Sequence, residues 1–115
     1  MSIESRQAQD AATRVIAVCE VIALIVERGE DHFLREVEAQ WAAEMGLIRI
    51  GEAVAKIPLP VRERFAGQPW RQIIDMRTFA AHQYDGLDPH RVWRTITRDV
   101  PRLRNYLSDV LIPGL

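Results

Sequence analysis

The chain has 115 residues, which fits one domain over 1–115 and leaves no room for a second. With 48% hydrophobic and 27% charged residues it has the composition of a folded globular protein, and its wealth of Ala, Leu, Ile, Val, Glu and Arg favours helix over sheet. A formal net charge of -1 excludes the strongly basic balance of a general nucleic-acid coating protein, although not a local basic surface.

The first predicted helix runs from Ile3 to Arg28, with Val15, Val18, Ile22 and Ile25 at helical spacing and Gly29 as its stop. Cys19 lies on its apolar face and reads as packing. As the only cysteine it permits no intramolecular disulfide and no multi-cysteine zinc site, which fits a reducing compartment. The apolar run Val15–Val26 is too short to span a bilayer, and the polar Met1–Asp10 stretch is unlike a secretory signal. The expected location is the cytoplasm, with no membrane contact.

A second segment is expected to open with Asp31 as N-cap and to carry Phe33, Leu34, Val37, Trp41, Met45 and Ile48 before ending near Ile57. A break near Glu38–Ala42 would divide it into a short helix and a long one. Gly51 inside it costs about 1 kcal/mol against alanine, which points to close approach of a neighbouring helix. The connector Pro58–Gln68 holds one short helix over Val61–Phe65. The next helix starts near Pro69, carries Trp70, Ile73, Ile74 and Phe79, and should end around Tyr84, before the Asp85–Gly86 turn signal. Asp88 and Pro89 open a last helix with Val92, Trp93, Ile96, Val100, Leu103, Leu107 and Val110 on one stripe, which Pro101 should kink or split. The three tryptophans read as core or dimer-interface anchors. The fold class is all-α: an antiparallel bundle of four to six helices.

Only the segment Met76–Gly86 has an arrangement that looks chemical, with a permanent cation, an imidazole and a phenol close together. Cleaving an RNA phosphodiester through the 2′-hydroxyl needs a base, an acid and a cation facing the charge that builds on phosphorus. His82 can move the proton, and Arg77 can grip the phosphate with its planar fork of donors. No metal or other cofactor is needed for that scheme. Five positions separate Arg77 and His82 by about 140° on an ideal helix, so they share a face only if the helix ends or distorts, or if a second subunit completes the site. Tyr84 would lie on Arg77's face if the helix persisted. On these grounds alone a structural role is equally open, since Arg and His near a helix end also satisfy free carbonyls and the helix dipole.

Arg77-x4-His82-x-Tyr84 resembles the R-x4-H-x-Y motif of HepT-like proteins, a branch of the HEPN superfamily. Ile50-Gly51-Glu52-Ala53 is similar to that family's IGEA turn, and Pro69 through Arg77 resembles the run that precedes its catalytic arginine. Asp88 through Leu103 resembles the family's last helix. Together the likeness covers roughly Arg49 to Leu107. The resemblance implies a homodimer whose two motifs face a shared cleft, and metal-independent endoribonuclease activity. It also implies a toxin role in a type VII pair with MntA, a minimal nucleotidyltransferase antitoxin that silences the toxin by transferring AMP to the motif tyrosine, here Tyr84. Arg77 and His82 would be catalytic, with Thr78 and Tyr84 supporting. Two positions depart from the pattern: Thr78 stands where the family carries Asn or Asp, and Gln83 replaces the usual glycine.

Arg91, Arg94, Arg98 and Arg102 form one basic stripe along the last helix. Arg91, Arg94 and Arg98 are candidate RNA contacts, against the alternative of a solvated face paired with acids. His32 and His90 show no ligand spacing, so no metal site is expected. Glu52 faces either the core or the cleft, with Arg77 a candidate partner. The competing functional reading, favoured by Thr78, is a non-catalytic helical module that docks a nucleotidyltransferase, a nucleotide or RNA.

Overall fold

The protein is described by a computed structural model covering residues 1–81 and 87–115, with the backbone alone over 79–81. All regular structure among the described residues is helical. The elements are α1 (Ile3–Glu27), α2 (Glu30–Arg35), α3 (Val37–Val54), α4 (Leu59–Arg64) and α5 (Trp70–Ala81), followed by a C-terminal rod. The rod comprises α6 (Pro89–Arg94), a π-helical turn Thr95–Asp99, α7 (Val100–Tyr106), a second π-helical turn Leu107–Leu111, and α8 (Ile112–Gly114). No described helix is long and apolar enough to cross a membrane.

Caps explain most of the boundaries. The Ser2 hydroxyl accepts from the Ser5 amide at 3.0 Å and starts α1. Gly29, at φ 91°, ends α1 and also precedes α2, so the second segment opens at Glu30 and not behind an Asp31 cap. The break between α2 and α3 falls at Glu36, earlier than the expected Glu38–Ala42. Gln40 holds it, because its amide donates to the Phe33 carbonyl at 3.0 Å and to that of Leu34 at 3.3 Å, satisfying the open end of α2. Asp88 caps α6 through the His90 amide at 3.0 Å, with Pro89 in the first turn as its fixed φ allows.

At Pro101 the rod continues and does not split in two. Proline has no N–H and crowds the carbonyl four residues back, and the turn before it widens: the Val100 amide bonds the Thr95 carbonyl, five residues away. Pro113 follows the second wide turn in the same way, with the Ile112 amide on the Leu107 carbonyl. The wide turn shifts the register, so Leu111 completes the buried stripe of Val92, Ile96, Val100, Leu103 and Leu107, while Val110 turns outward.

The core packs that stripe against Ala8, Ala12, Val15, Cys19 and Ile22 of α1 and Ala43, Leu47, Ile50 and Val54 of α3. This overturns the apolar face expected for the second segment. Phe33 is buried, but Val37, Trp41 and Met45 are 50%, 67% and 50% exposed, so Trp41 is not a core residue. Trp93 is half-buried against Phe33, with ring centroids 5.4 Å apart. Trp70 is buried, its indole N–H donating to the Phe65 carbonyl at 2.8 Å and meeting Tyr106 edge-on at 6.0 Å.

Candidate functional site

Helix α5 carries Arg77 and Thr78 near its C-terminal end, and both side chains are exposed. What fixes α5 there is Gly51. A Cβ on Gly51 would stand 2.8 Å from the Arg77 amide nitrogen and 3.0 Å from the carbonyl oxygens of Ile73 and Ile74. Only the missing side chain lets the backbones of α3 and α5 meet, as the sequence suggested, and the contact lies at the arginine itself. Glu52, next to it, is exposed, so it faces outward and not into the core. No Glu52–Arg77 pair is present; the single ion pair among the described residues joins Arg104 to Glu20 at 3.6 Å.

His82 and Tyr84 lie outside the described residues, so the angular question between Arg77 and His82 is not answered by α5. The far side of that segment is held by a residue the sequence did not single out. Glu44, half-buried on α3, accepts a hydrogen bond from the Leu87 amide at 3.0 Å. A carboxylate on a backbone N–H is a charge-assisted contact, stronger than a neutral one. Glu44 and Gly51 are seven residues apart on α3, about 10 Å along its axis and on nearly the same face. Helix α3 thus meets the chain at Arg77 and again at Leu87.

Arg91, Arg94, Arg98 and Arg102 are all exposed on the outer face of the C-terminal rod. Among the described residues no carboxylate pairs with any of them. Beside them, between the first half of α5 and the rod, runs an open groove of about 560 Å³. Its floor is Ile73, Met76, Val100 and Leu103, and its rim carries Gln68, Gln72, Thr95, Asp99 and Arg102.

Cys19 is buried with its thiol 3.9 Å from the Val100 carbonyl. Burial pushes it from its ordinary 9.0 up to about 12, against a smaller lowering by Arg104, so it is a packing group and not a nucleophile.

An all-helical bundle with an exposed arginine clamped at a helix–helix contact, and an outward row of arginines beside a groove, defines a class of small helical proteins suited to a phosphate-bearing ligand. The family follows from comparison with known proteins: residues 8–110 match the ribonuclease HepT-like family model, and the chain belongs to that family. "Probable ribonuclease HepT" of Thermococcus cleftensis is 33% identical over 91 residues, covering 76% of this chain and 83% of that protein. "Putative RNase TTE0752" of Caldanaerobacter subterraneus subsp. tengcongensis is 36% identical over 62 residues, 54% of this chain and 55% of its own. "Gamma-glutamylcyclotransferase and putative RNase MJ0434" of Methanocaldococcus jannaschii is 29% identical over 82% of this chain but only 44% of its own length. The chain therefore spans about half of each of these last two relatives. No solved structure gives a significant match.

Proposed function

We propose that the chain is an endoribonuclease toxin whose cleft is composed by two copies, with Arg77 and His82 as its catalytic residues. The observation that carries this reading is the exposed Arg77 whose backbone is seated on Gly51, in a chain of the ribonuclease HepT-like family. In the proposed reaction His82 takes the proton of a 2′-hydroxyl, and that oxygen attacks the adjacent phosphorus. The 5′-oxygen leaves with the electron pair of its P–O bond and takes a proton from His82 of the partner subunit. Arg77 faces the charge that builds on the phosphoryl oxygens. Thr78 donates a supporting hydrogen bond from its hydroxyl. The proton carrier and the cation are both side chains, so the scheme draws on no metal or cofactor.

A second copy is supported by the outer face of α3. Val37, Trp41 and Met45 are exposed there, and on α1 Val21 and Leu24 are 59% and 60% exposed. Large apolar side chains left exposed along one helix face of a small domain favour burial against another chain. Met45 follows Glu44, so this face borders the anchor of the motif segment and would bring two motifs near one another.

Tyr84 is proposed as the site of AMP transfer by an MntA-like nucleotidyltransferase antitoxin in the cytoplasm, the added phosphate and adenine blocking the cleft by charge and bulk. The competing reading, a module of the same fold that docks a nucleotidyltransferase, a nucleotide or RNA without cutting it, is favoured by Thr78 at the position after the arginine. Growth and RNA integrity after induction of the chain alone, beside Arg77→Ala and His82→Ala, separate the two. Arrested growth and degraded RNA with wild type only is the expected result. Three harmless but folded proteins would remove the nuclease reading.

A further inference from the structure

The groove between α5 and the C-terminal rod has the chemistry of a nucleobase site. A base has two apolar faces and one edge of donors and acceptors. The groove offers an apolar floor in Ile73, Met76, Val100 and Leu103, and on its rim two amides, a hydroxyl and a carboxylate in Gln68, Gln72, Thr95 and Asp99. Gln and Asp are the side chains whose geometry suits the hydrogen-bonding edges of bases. The volume of about 560 Å³ lies within the ordinary range of small-ligand pockets.

Charge identifies what the base is attached to. Arg102 stands on the same rim, and Arg98, Arg94 and Arg91 continue from it as an exposed row with no carboxylate paired to any of the four among the described residues. Arg91 and Arg102 are eleven residues apart, about 16 Å along the helix, a distance over which several phosphates of one strand can be neutralised. Position ties the groove to the chemistry: Met76 of its floor directly precedes Arg77, with Cα atoms about 3.8 Å apart.

We propose that this groove receives an unpaired base of single-stranded RNA close to the phosphate gripped by Arg77, with the flanking phosphates running along Arg102, Arg98 and Arg94. The proposal rests on RNA as the ligand of the Arg77 site. It assigns cleavage preference to Gln72 and Asp99, which touch the base edge, and generic affinity to the arginine row.

The test is binding of short fluorescent single-stranded RNAs to the full-length His82→Ala chain, so that cutting does not interfere. A single abasic nucleotide is walked along the strand, and the scan is repeated in a His82→Ala, Gln72→Trp variant whose indole fills the groove. Gln72 is exposed on α5, and a thermal melt verifies that the variant is folded. One abasic position is expected to weaken binding about tenfold, as loss of one well-seated base does. That sensitive position should vanish in the filled variant, while the salt dependence of binding stays. RNA binding with no sensitive position, or with the same position still sensitive in the filled variant, overturns the groove assignment and leaves RNA as the ligand. No RNA binding at all overturns both. Cleavage by the wild-type chain, measured separately, judges the nuclease reading.

Discussion

Replacing Gly51 by alanine tests whether the contact between α3 and α5 sets the position of Arg77. The new Cβ would lie 2.8 Å from one backbone nitrogen and 3.0 Å from two backbone oxygens, where ordinary contact is 3.4–4 Å. Backbone atoms inside a helix cannot rotate aside, so α5 must move by several tenths of an ångström. Overpacking of this kind costs about 1–3 kcal/mol, and alanine recovers about 1 kcal/mol of helix propensity. The expected net loss is about 1 kcal/mol, a fall in Tm of about 4 °C for a domain of this size. The catalytic effect should be larger in proportion. A shift approaching 1 Å at a positioning contact can cost about a hundredfold in rate, so a shift of about half that predicts a loss of about tenfold in kcat/KM.

Gly46→Ala supplies the control. Its Cβ would meet Cδ1 of Ile22 at 2.8 Å and Cγ1 at 3.0 Å, the far end of a side chain on α1 and nowhere near Arg77. That side chain can turn, so stability should change by no more than about 1 kcal/mol and cleavage not at all. The assays are denaturant unfolding and initial rates on one RNA substrate for both variants. Gly51→Ala with wild-type stability and rate would refute the argument. So would equal rate losses in the two variants, since the damage would then be general loosening and not displacement of Arg77.

Other expectations follow from single contacts. Glu44→Ala should cost about 1–2 kcal/mol and lower kcat beyond what the lost stability explains, while Glu44→Gln, which keeps an acceptor for the Leu87 amide, should recover much of both in the same assays. Cys19 carries a folded pKa of about 12 against 9.0 for an ordinary thiol. Its contribution is therefore fully present below pH 9 and is lost as pH rises from 9 towards 12. Unfolding midpoints should fall over that window more steeply in wild type than in Cys19→Ala, and thiol reagents should reach Cys19 only on unfolding. Trp41→Glu should leave the protomer folded, since Trp41 is 67% exposed, but should shift sedimentation towards monomer and reduce cleavage; an unchanged dimer would show that α3's outer face is not the interface.

The parts of the fold that were legible in the sequence are those in which period and punctuation agreed. Helix α1 and the rod have one apolar stripe each and a strong boundary signal, Gly29 at the end of one and Asp88–Pro89 at the start of the other. Gly51 was legible because a glycine inside a helix needs a reason, and close approach is the commonest. The face of α3 was not legible. Residues 33–54 are apolar on several sides, and the break at Glu36 carries neither Gly nor Pro, so the stripe through Trp41 and Met45 looked like a continuation from Phe33. The break resets the phase, and the true buried set is Ala43, Leu47, Ile50 and Val54. Pro101 was visible as a disturbance, but whether a helix meets it by ending or by widening depends on packing around it. The groove and the Glu44 contact had no signal, because each joins residues distant in sequence.

Read along α5 alone, Arg77 and His82 diverge by about 140°, which argued either for a distorted helix or for a second subunit. Gly51 and Glu44 contact the chain on either side of that motif, at Arg77 and at Leu87. They sit two turns apart on one face of α3, and the chain is held against that face at Arg77 and again at Leu87. Helix α5 keeps its period through Ala81, and the two contacts constrain where the chain stands at Arg77 and at Leu87. The two residues that make those contacts both belong to α3, seven positions apart, and only Gly51 falls within the family-like blocks of the sequence. Altering that separation, as Gly51→Ala does at one end and Glu44→Ala at the other, should disturb the same cleavage step from opposite sides. The double variant should then lose less than the product of the two single effects, because a segment already released at one end has less left to lose at the other.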